Sequence, residues 1–242
     1  MNKVLNWIKL NYLYVSIPVG AISLYAIARY VFKKSGGKVS LNKYGFTSAM
    51  KYPEVMNIVL KGESAGYNDH NYYVTGNALR GYVQGRWGIK YPLLKKDLSE
   101  YTIGEILGFQ SHARDSVGQL FATGRYQIIP ATLAGSYRAA GLTWNDKYSP
   151  ENQDKIAIQL LKGRPTAWKY LTKQIPDTAA NLQAAALDIA KTWSSVGVPY
   201  PMTGHWGVSL AKNDSYYKPY DRGTTTTENL QTALKASRKQ TA

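Results

Sequence analysis

Pro53-Glu54-Val55-Met56-Asn57-Ile58-Val59-Leu60-Lys61-Gly62-Glu63-Ser64 is the stretch on which the fold turns. Proline suits the first helical position, because the N–H it lacks is one that the first turn leaves unbonded in any case. Val55, Met56, Ile58, Val59 and Leu60 then recur at helical spacing and supply an apolar face. Gly62 is a natural stop, so the spacing predicts a helix with Glu63 at its C-terminal end. There the helix dipole and a partly apolar setting both disfavour a carboxylate. A glutamic acid kept protonated in this way is what general acid catalysis requires. Read without its neighbours, Glu63 is a surface carboxylate that closes a helix.

Outward from this helix the composition changes. Residues 67 to 91 are rich in Tyr, Gly, Asn and β-branched side chains, as in Tyr72-Tyr73-Val74-Thr75-Gly76 and Gly81-Tyr82-Val83-Gln84-Gly85, which predicts short strands and turns. Thr102 and Glu105 have capping-box spacing ahead of Ile106, Leu107 and Phe109, so helices resume there. Further helices are predicted over residues 130–140, over 151–162 after Ser149-Pro150, and over 179–195. The spacing of Ile156, Leu160 and Leu161, then of Leu182, Leu187, Ile189 and Trp193, marks core-facing helix surfaces. A small β wing among helices gives an α+β class, with a main domain over residues 52–205 and an accessory C-terminal tail over 206–242.

Ahead of the domain, residues 10 to 28 carry no charged side chain, and Tyr12, Tyr14, Tyr25 and Tyr30 lie toward the ends of the run. The length approaches the ~20 residues that cross a bilayer, the tyrosines sit where interfacial rings are favoured, and Arg29, Lys33 and Lys34 close the stretch. Residues 1–34 are therefore expected to form a membrane anchor, with the span over 10–32, and Ser35-Gly36-Gly37-Lys38 to open a linker over 35–51. A buried core helix or a cleaved signal peptide is the alternative, since Ser16, Pro18, Gly20 and Ser23 dilute the apolar character. Basic residues flank both sides, with more on the C-terminal side, which read literally places the domain in the cytoplasm.

The chain of 242 residues is 44% apolar, enough for one sizeable core plus extensions. Its formal charge of +15 is uneven, since residues 1–40 contain Lys3, Lys9, Arg29, Lys33, Lys34 and Lys38 and no acid. A basic protein is held electrostatically near anionic polymers, lipids or carboxylate-bearing glycans. Zinc-finger spacing, an RNA-binding aromatic motif and a dense basic block in the main domain are all missing, so nucleic acid is not expected as a partner. The absence of cysteine removes disulfides and thiol catalysis. His70, His112 and His205 are too scattered for a zinc site, so neither a metal nor a cofactor is expected.

A second segment gives Glu63 its meaning. Ala122-Thr123-Gly124-Arg125-Tyr126-Gln127-Ile128-Ile129-Pro130 contains a Gly-Arg-Tyr-Gln turn, Ser149-Pro150-Glu151-Asn152-Gln153-Asp154 precedes a helix, and Thr192-Trp193-Ser194-Ser195 leads into a Gly/Pro-rich turn. With Gly62-Glu63-Ser64 upstream, these four stretches in this order resemble the lambdoid phage endolysins and, more distantly, the soluble lytic transglycosylases of the lysozyme superfamily. The resemblance covers about residues 52 to 200. It implies a lysozyme-like fold and cleavage of the β-1,4 bond between N-acetylmuramic acid and N-acetylglucosamine in peptidoglycan. Glu63 would be the catalytic acid, and Arg125, Tyr126, Gln127 and Trp193, with Ser64 beside the acid, would bind the saccharide.

Two chemistries remain open. A lytic transglycosylase needs only Glu63, which donates a proton to the leaving oxygen and then takes one from the muramoyl C6 hydroxyl. A hydrolase needs a second carboxylate as nucleophile or base. Asp69 and Asp115 are the candidates, although Asp69 in Gly66-Tyr67-Asn68-Asp69 also reads as a turn former. The expectation is a membrane-anchored enzyme facing the cell wall, from a virion membrane or a host inner membrane, acting in wall penetration or lysis beside virion or membrane proteins. An inactive wall-binding anchor of the same fold is the alternative outside enzymology.

Overall fold

The computed structural model of the chain describes residues 51–63, 73–75, 94, 96–112 and 120–240. All of them belong to one compact unit, Lys43–Ala242. The expected anchor and most of the linker lie outside the described residues, as do Ser64, Asp69 and Asp115. Among the described residues, no helix is long and apolar enough to cross a membrane.

The architecture is α+β, mainly helical with small antiparallel sheets. Helix α1 (Pro53–Glu63) buries Val55, Met56, Val59 and Leu60 completely. It runs one residue past the predicted glycine stop. Gly62 stays in the helix because its bare Cα lies against Ser195, where a Cβ would overlap the serine hydroxyl. Strand β1 (Tyr73–Thr75) pairs antiparallel with β2 (Leu120–Thr123), Tyr73 opposite Thr123 and Val74 opposite Ala122. β1 is the described strand of the wing expected over residues 67–91, and its partner β2 comes from beyond that stretch.

Helix α2 (Ile103–Gln110) opens on the predicted capping box: the Glu105 N–H donates to Thr102 Oγ1 at 3.1 Å, and the Thr102 N–H donates to Glu105 Oε2 at 2.7 Å. The reciprocal bonds satisfy two donors that a helix start otherwise leaves open. Helix α3 (Pro130–Ser136) is shorter than the sequence suggests, because residues 137–141 continue as turns to Gly141, which has a φ of 77°. Helix α4 (Pro150–Lys162) starts at the predicted Ser149-Pro150, with Ser149 Oγ accepting from the Asn152 N–H at 3.3 Å.

Helix α5 (Pro165–Leu171) and α6 (Ala179–Ala190) pack on each other, with Ala167, Ala185, Ala186 and Ala190 all fully buried. Small side chains at such a contact let two helix axes approach closely.

Residues 206–240 are built into the same core. A hairpin joins β3 (Met202–Thr203) to β4 (Ser209–Leu210), and the last helix, α7 (Thr227–Gln240), lies against α1, α5 and α6. The Val55 N–H, one of the open donors in the first turn of α1, bonds Ser237 Oγ on α7 at 3.2 Å. From the same helix the Arg238 guanidinium donates to the backbone carbonyls of Tyr170 and Ile175 at the end of α5. The C-terminal helix thus braces the helix that carries Glu63.

Candidate active site

Glu63 is half-buried at the last position of α1. Its carboxylate meets the turn that follows α6, where the Trp193 carbonyl accepts from the Val196 N–H at 3.1 Å. Inside this turn the Ser195 N–H donates to Glu63 Oε1 at 3.0 Å and the Ser195 hydroxyl donates to the same oxygen at 2.7 Å. One carboxylate oxygen is thereby fixed by two donors. Ser195 is held in turn from its other side, since its carbonyl accepts from the N–H groups of Thr224 and Thr225 at 2.7 and 3.0 Å. The Gly197 N–H then reaches the Thr225 carbonyl at 2.9 Å, which continues the lacing.

The electrostatics favour the protonated acid. Loss of water around the carboxyl raises the Glu63 pKa from 4.5 to about 7, against the lowering effect of the two Ser195 bonds, and the charge of Asp221 adds to the rise. Burial, expected from the sequence as one of two causes, is thus the largest. At neutral pH such a group is close to half protonated, so it can give a proton and take one back.

Asp221 is a carboxylate that reading the sequence missed. It accepts a hydrogen bond from the Ser194 side chain, next in the chain to the serine that holds Glu63, and the protein packed beside it raises its pKa. The other acids between residues 206 and 240 are spent on lysines: Asp214 on Lys218 at 3.0 Å and Glu228 on Lys212 at 2.5 Å. Tyr217 lies within electrostatic reach of both Glu63 and Asp221, and its hydroxyl donates to the Lys191 carbonyl at 2.7 Å. No motif flags Asp221. Its signal in the sequence is only that it sits in Tyr220-Asp221-Arg222-Gly223, away from any lysine at i+4.

The Gly-Arg-Tyr-Gln turn has a different place from the one expected. It links Thr123 to Ile128, which exchange N–H···O bonds of 3.2 and 2.9 Å, with Gly124 and Gln127 both at positive φ, 72° and 48°. Arg125 and Tyr126 point inward and are 0% and 1% exposed, so neither side chain is offered to a ligand at the surface. Their partner is Asp154 of α4: the Tyr126 hydroxyl donates to Asp154 Oδ1 at 2.7 Å, and Arg125 Nη1 lies 3.6 Å from the same oxygen. Gln153 accepts from the Arg125 N–H at 3.2 Å and donates to the Tyr148 carbonyl at 3.0 Å.

Two of the motifs that carried the resemblance are therefore one buried joint. A Cβ at Gly124 would strike the Gln153 amide, which is why glycine starts the turn. Gln127 alone of the trio is half-exposed, and its amide donates to the Gly124 carbonyl at 2.8 Å. Trp193 is 3% exposed and packs in the core at the start of the turn that carries Ser194 and Ser195.

A shallow hollow of about 260 Å³, lined by Gly135, Ser136, Gln159, Arg164 and Thr192 among others, contains no carboxylate. Comparison of the chain with protein-family models, with curated proteins and with solved structures finds no match in any of the three.

Proposed function

We propose that the protein is a peptidoglycan-degrading enzyme of lysozyme-like fold that cleaves the β-1,4 bond between N-acetylmuramic acid and N-acetylglucosamine. The observation that carries this reading is Glu63, a half-buried acid with a pKa of about 7 at a helix end, aimed by two donors of one serine. The order of four short motifs supports it.

In the transglycosylase reaction the Glu63 carboxyl donates its proton to the glycosidic oxygen as the C1–O bond breaks and positive charge develops at C1. The Glu63 carboxylate then takes the proton of the muramoyl C6 hydroxyl, O6 bonds to C1, and a 1,6-anhydro end results. The acid returns to its starting state and no water is consumed. A pKa near 7 suits both half-reactions, because one residue serves as acid and then as base.

Asp221 supports the hydrolytic reading beside the leading one. A carboxylate in electrostatic reach of the acid is the second acid a hydrolase needs, to activate water or to oppose the charge at C1, after which the product carries a reducing end. Residues 10–32 would tether the enzyme in a virion membrane or host inner membrane, facing the wall, with glycan strands as its substrate and neither nucleic acid, metal nor cofactor required.

Digestion of purified sacculi with mass spectrometry of the released muropeptides tests the proposal. Anhydro ends support the lyase and reducing ends the hydrolase. A folded protein that releases neither is a wall-binding or structural anchor, and both enzyme readings fall. Glu63→Gln should abolish release without unfolding the protein.

A further inference from the structure

The β3–β4 hairpin and the loop after it expose an unusual amount of aromatic surface: Trp206 is 56% and Tyr220 77% exposed. Their rings stand edge to face, 5.6 Å between centroids and 84° between planes. His205 packs on Trp206 at 4.6 Å and on Tyr217 at 5.3 Å, and Tyr216 on Tyr217 at 5.4 Å. The backbone fixes the group, since the His205 N–H donates to the Tyr216 carbonyl at 2.9 Å, and a Cβ at Gly204 would lie only 2.8 Å from that carbonyl oxygen. The backbone that carries His205 and Trp206 is therefore tied to that of Tyr216.

Their position gives them a use. Tyr217 is the inner member of the cluster and lies in electrostatic reach of Glu63 and Asp221. Tyr220 is the residue before Asp221, which bonds Ser194 beside the serine that holds Glu63. Hydrogen bonds and chain neighbours lead from Glu63 through Ser195, Ser194 and Asp221 to Tyr220, whose ring meets Trp206, while Tyr217 meets His205 and through it Trp206. An aromatic surface that closes on a carboxylate pair is continuous with the site rather than a separate patch.

We propose that Trp206 and Tyr220 form a sugar-stacking platform contiguous with Glu63, which holds an N-acetylated amino sugar of a β-1,4-linked glycan strand beside the acid. This rests on the glycosidase reading of Glu63. The face of an aromatic ring is electron-rich, and the flat C–H face of a pyranose is apolar and weakly positive, so the two stack while the sugar hydroxyls stay in water. Two rings at right angles offer one face to a sugar and a wall to its neighbour. A lipid surface is the competing occupant for exposed Trp and Tyr. Insertion there would draw Asp221 toward the bilayer and cost the hydration of its charge, whereas a glycan leaves that water in place.

The test uses the full chain in mild detergent, in a Glu63→Gln background so that binding is read without cleavage. Co-sedimentation with purified sacculi should weaken by about tenfold for Trp206→Ala and for Tyr220→Ala, the upper range for one stacked ring. Trp206→Phe, which keeps a ring, should restore most of the binding, and Trp144→Ala, at an exposed tryptophan of α2's neighbourhood, should leave it unchanged. Equal binding by all variants overturns the platform. So does a loss confined to phosphatidylglycerol vesicles with sacculus binding intact, which makes the surface a lipid contact. Muropeptide release by the chain with native Glu63 keeps the two readings apart: release together with aromatic variants that bind and cleave normally sinks the platform alone. No release, with binding that still depends on Trp206, sinks the enzyme and leaves the platform standing.

Discussion

Replacing Glu63 by glutamine has a consequence for stability that is independent of any substrate. The Glu63 carboxyl has a pKa of about 7 in the folded protein and an ordinary value of 4.5 when exposed. The folded state thus holds this proton more tightly than the unfolded state does. The contribution is fully present below about pH 4.5 and is lost as pH rises through 7. At about 1.4 kcal/mol for each pH unit between the two values, the loss approaches about 3 kcal/mol. Screening on the open side of the half-buried carboxyl reduces this to roughly 1.5–3 kcal/mol.

Glutamine does not titrate, and its amide keeps an oxygen for the Ser195 donors. Stability of the Glu63→Gln protein minus that of the native sequence should therefore grow by this amount from pH 4 to pH 8 and level off above 7. Asp154, which also has a raised pKa, titrates in both proteins and cancels in the difference. Denaturant unfolding of a fragment starting at Lys43, followed by tryptophan fluorescence at pH 4, 5, 6, 7 and 8, measures it. A difference that stays constant with pH refutes the reasoning. One that runs the other way would mean that the Ser195 bonds to the carboxylate outweigh its desolvation.

Ser195→Ala removes the 2.7 Å donor to Glu63. The bond lowers the acid's pKa, so the alkaline limb of muropeptide release should move to higher pH, and stability at pH 8 should fall by about 1–3 kcal/mol. Asp221→Asn removes a charge that raises that pKa, and should move the same limb to lower pH. If the enzyme is a hydrolase the rate should also fall by about 100-fold or more, whereas a lyase keeps its rate at low pH. Arg125→Leu leaves Asp154 buried without its cation and should cost about 3–5 kcal/mol in unfolding experiments at pH 8. Asp154 has a pKa of about 6, pushed up by burial against the pull of Arg125 and Tyr126, so protonation should shrink that cost at pH 5.

What the sequence made legible is what four or five neighbouring residues decide. The Thr102–Glu105 box, the Ser149-Pro150 start of α4 and the apolar face of α1 each depend on contacts within one helical turn, and each stands in the structure as read. The position of Glu63 belongs to the same class. Its setting does not, because the donors that aim it lie 132 residues away on Ser195, and Asp221 is carried in by a loop whose register depends on the Ser195 and Val198 backbone. No local pattern announces such a partner.

The Gly-Arg-Tyr-Gln turn shows the converse error and its cause. Polar residues in a tight turn ordinarily face water, which agrees with the sugar-binding role that the resemblance implies for Arg125 and Tyr126. The buried Asp154, 28 residues beyond Tyr126, reverses their direction by giving the guanidinium and the phenol a common acceptor. A buried ion pair of this kind adds little net stability against an apolar replacement, but it is costly to break and selects one arrangement of the β2 turn on α4. The two motifs are thus explained by each other, as a joint that fixes the β wing to the helical core. On the proposed glycosidase reading, recognition of a glycan would fall to side chains with no short motif of their own, Trp206 and Tyr220, which a linear reading assigns to a tail.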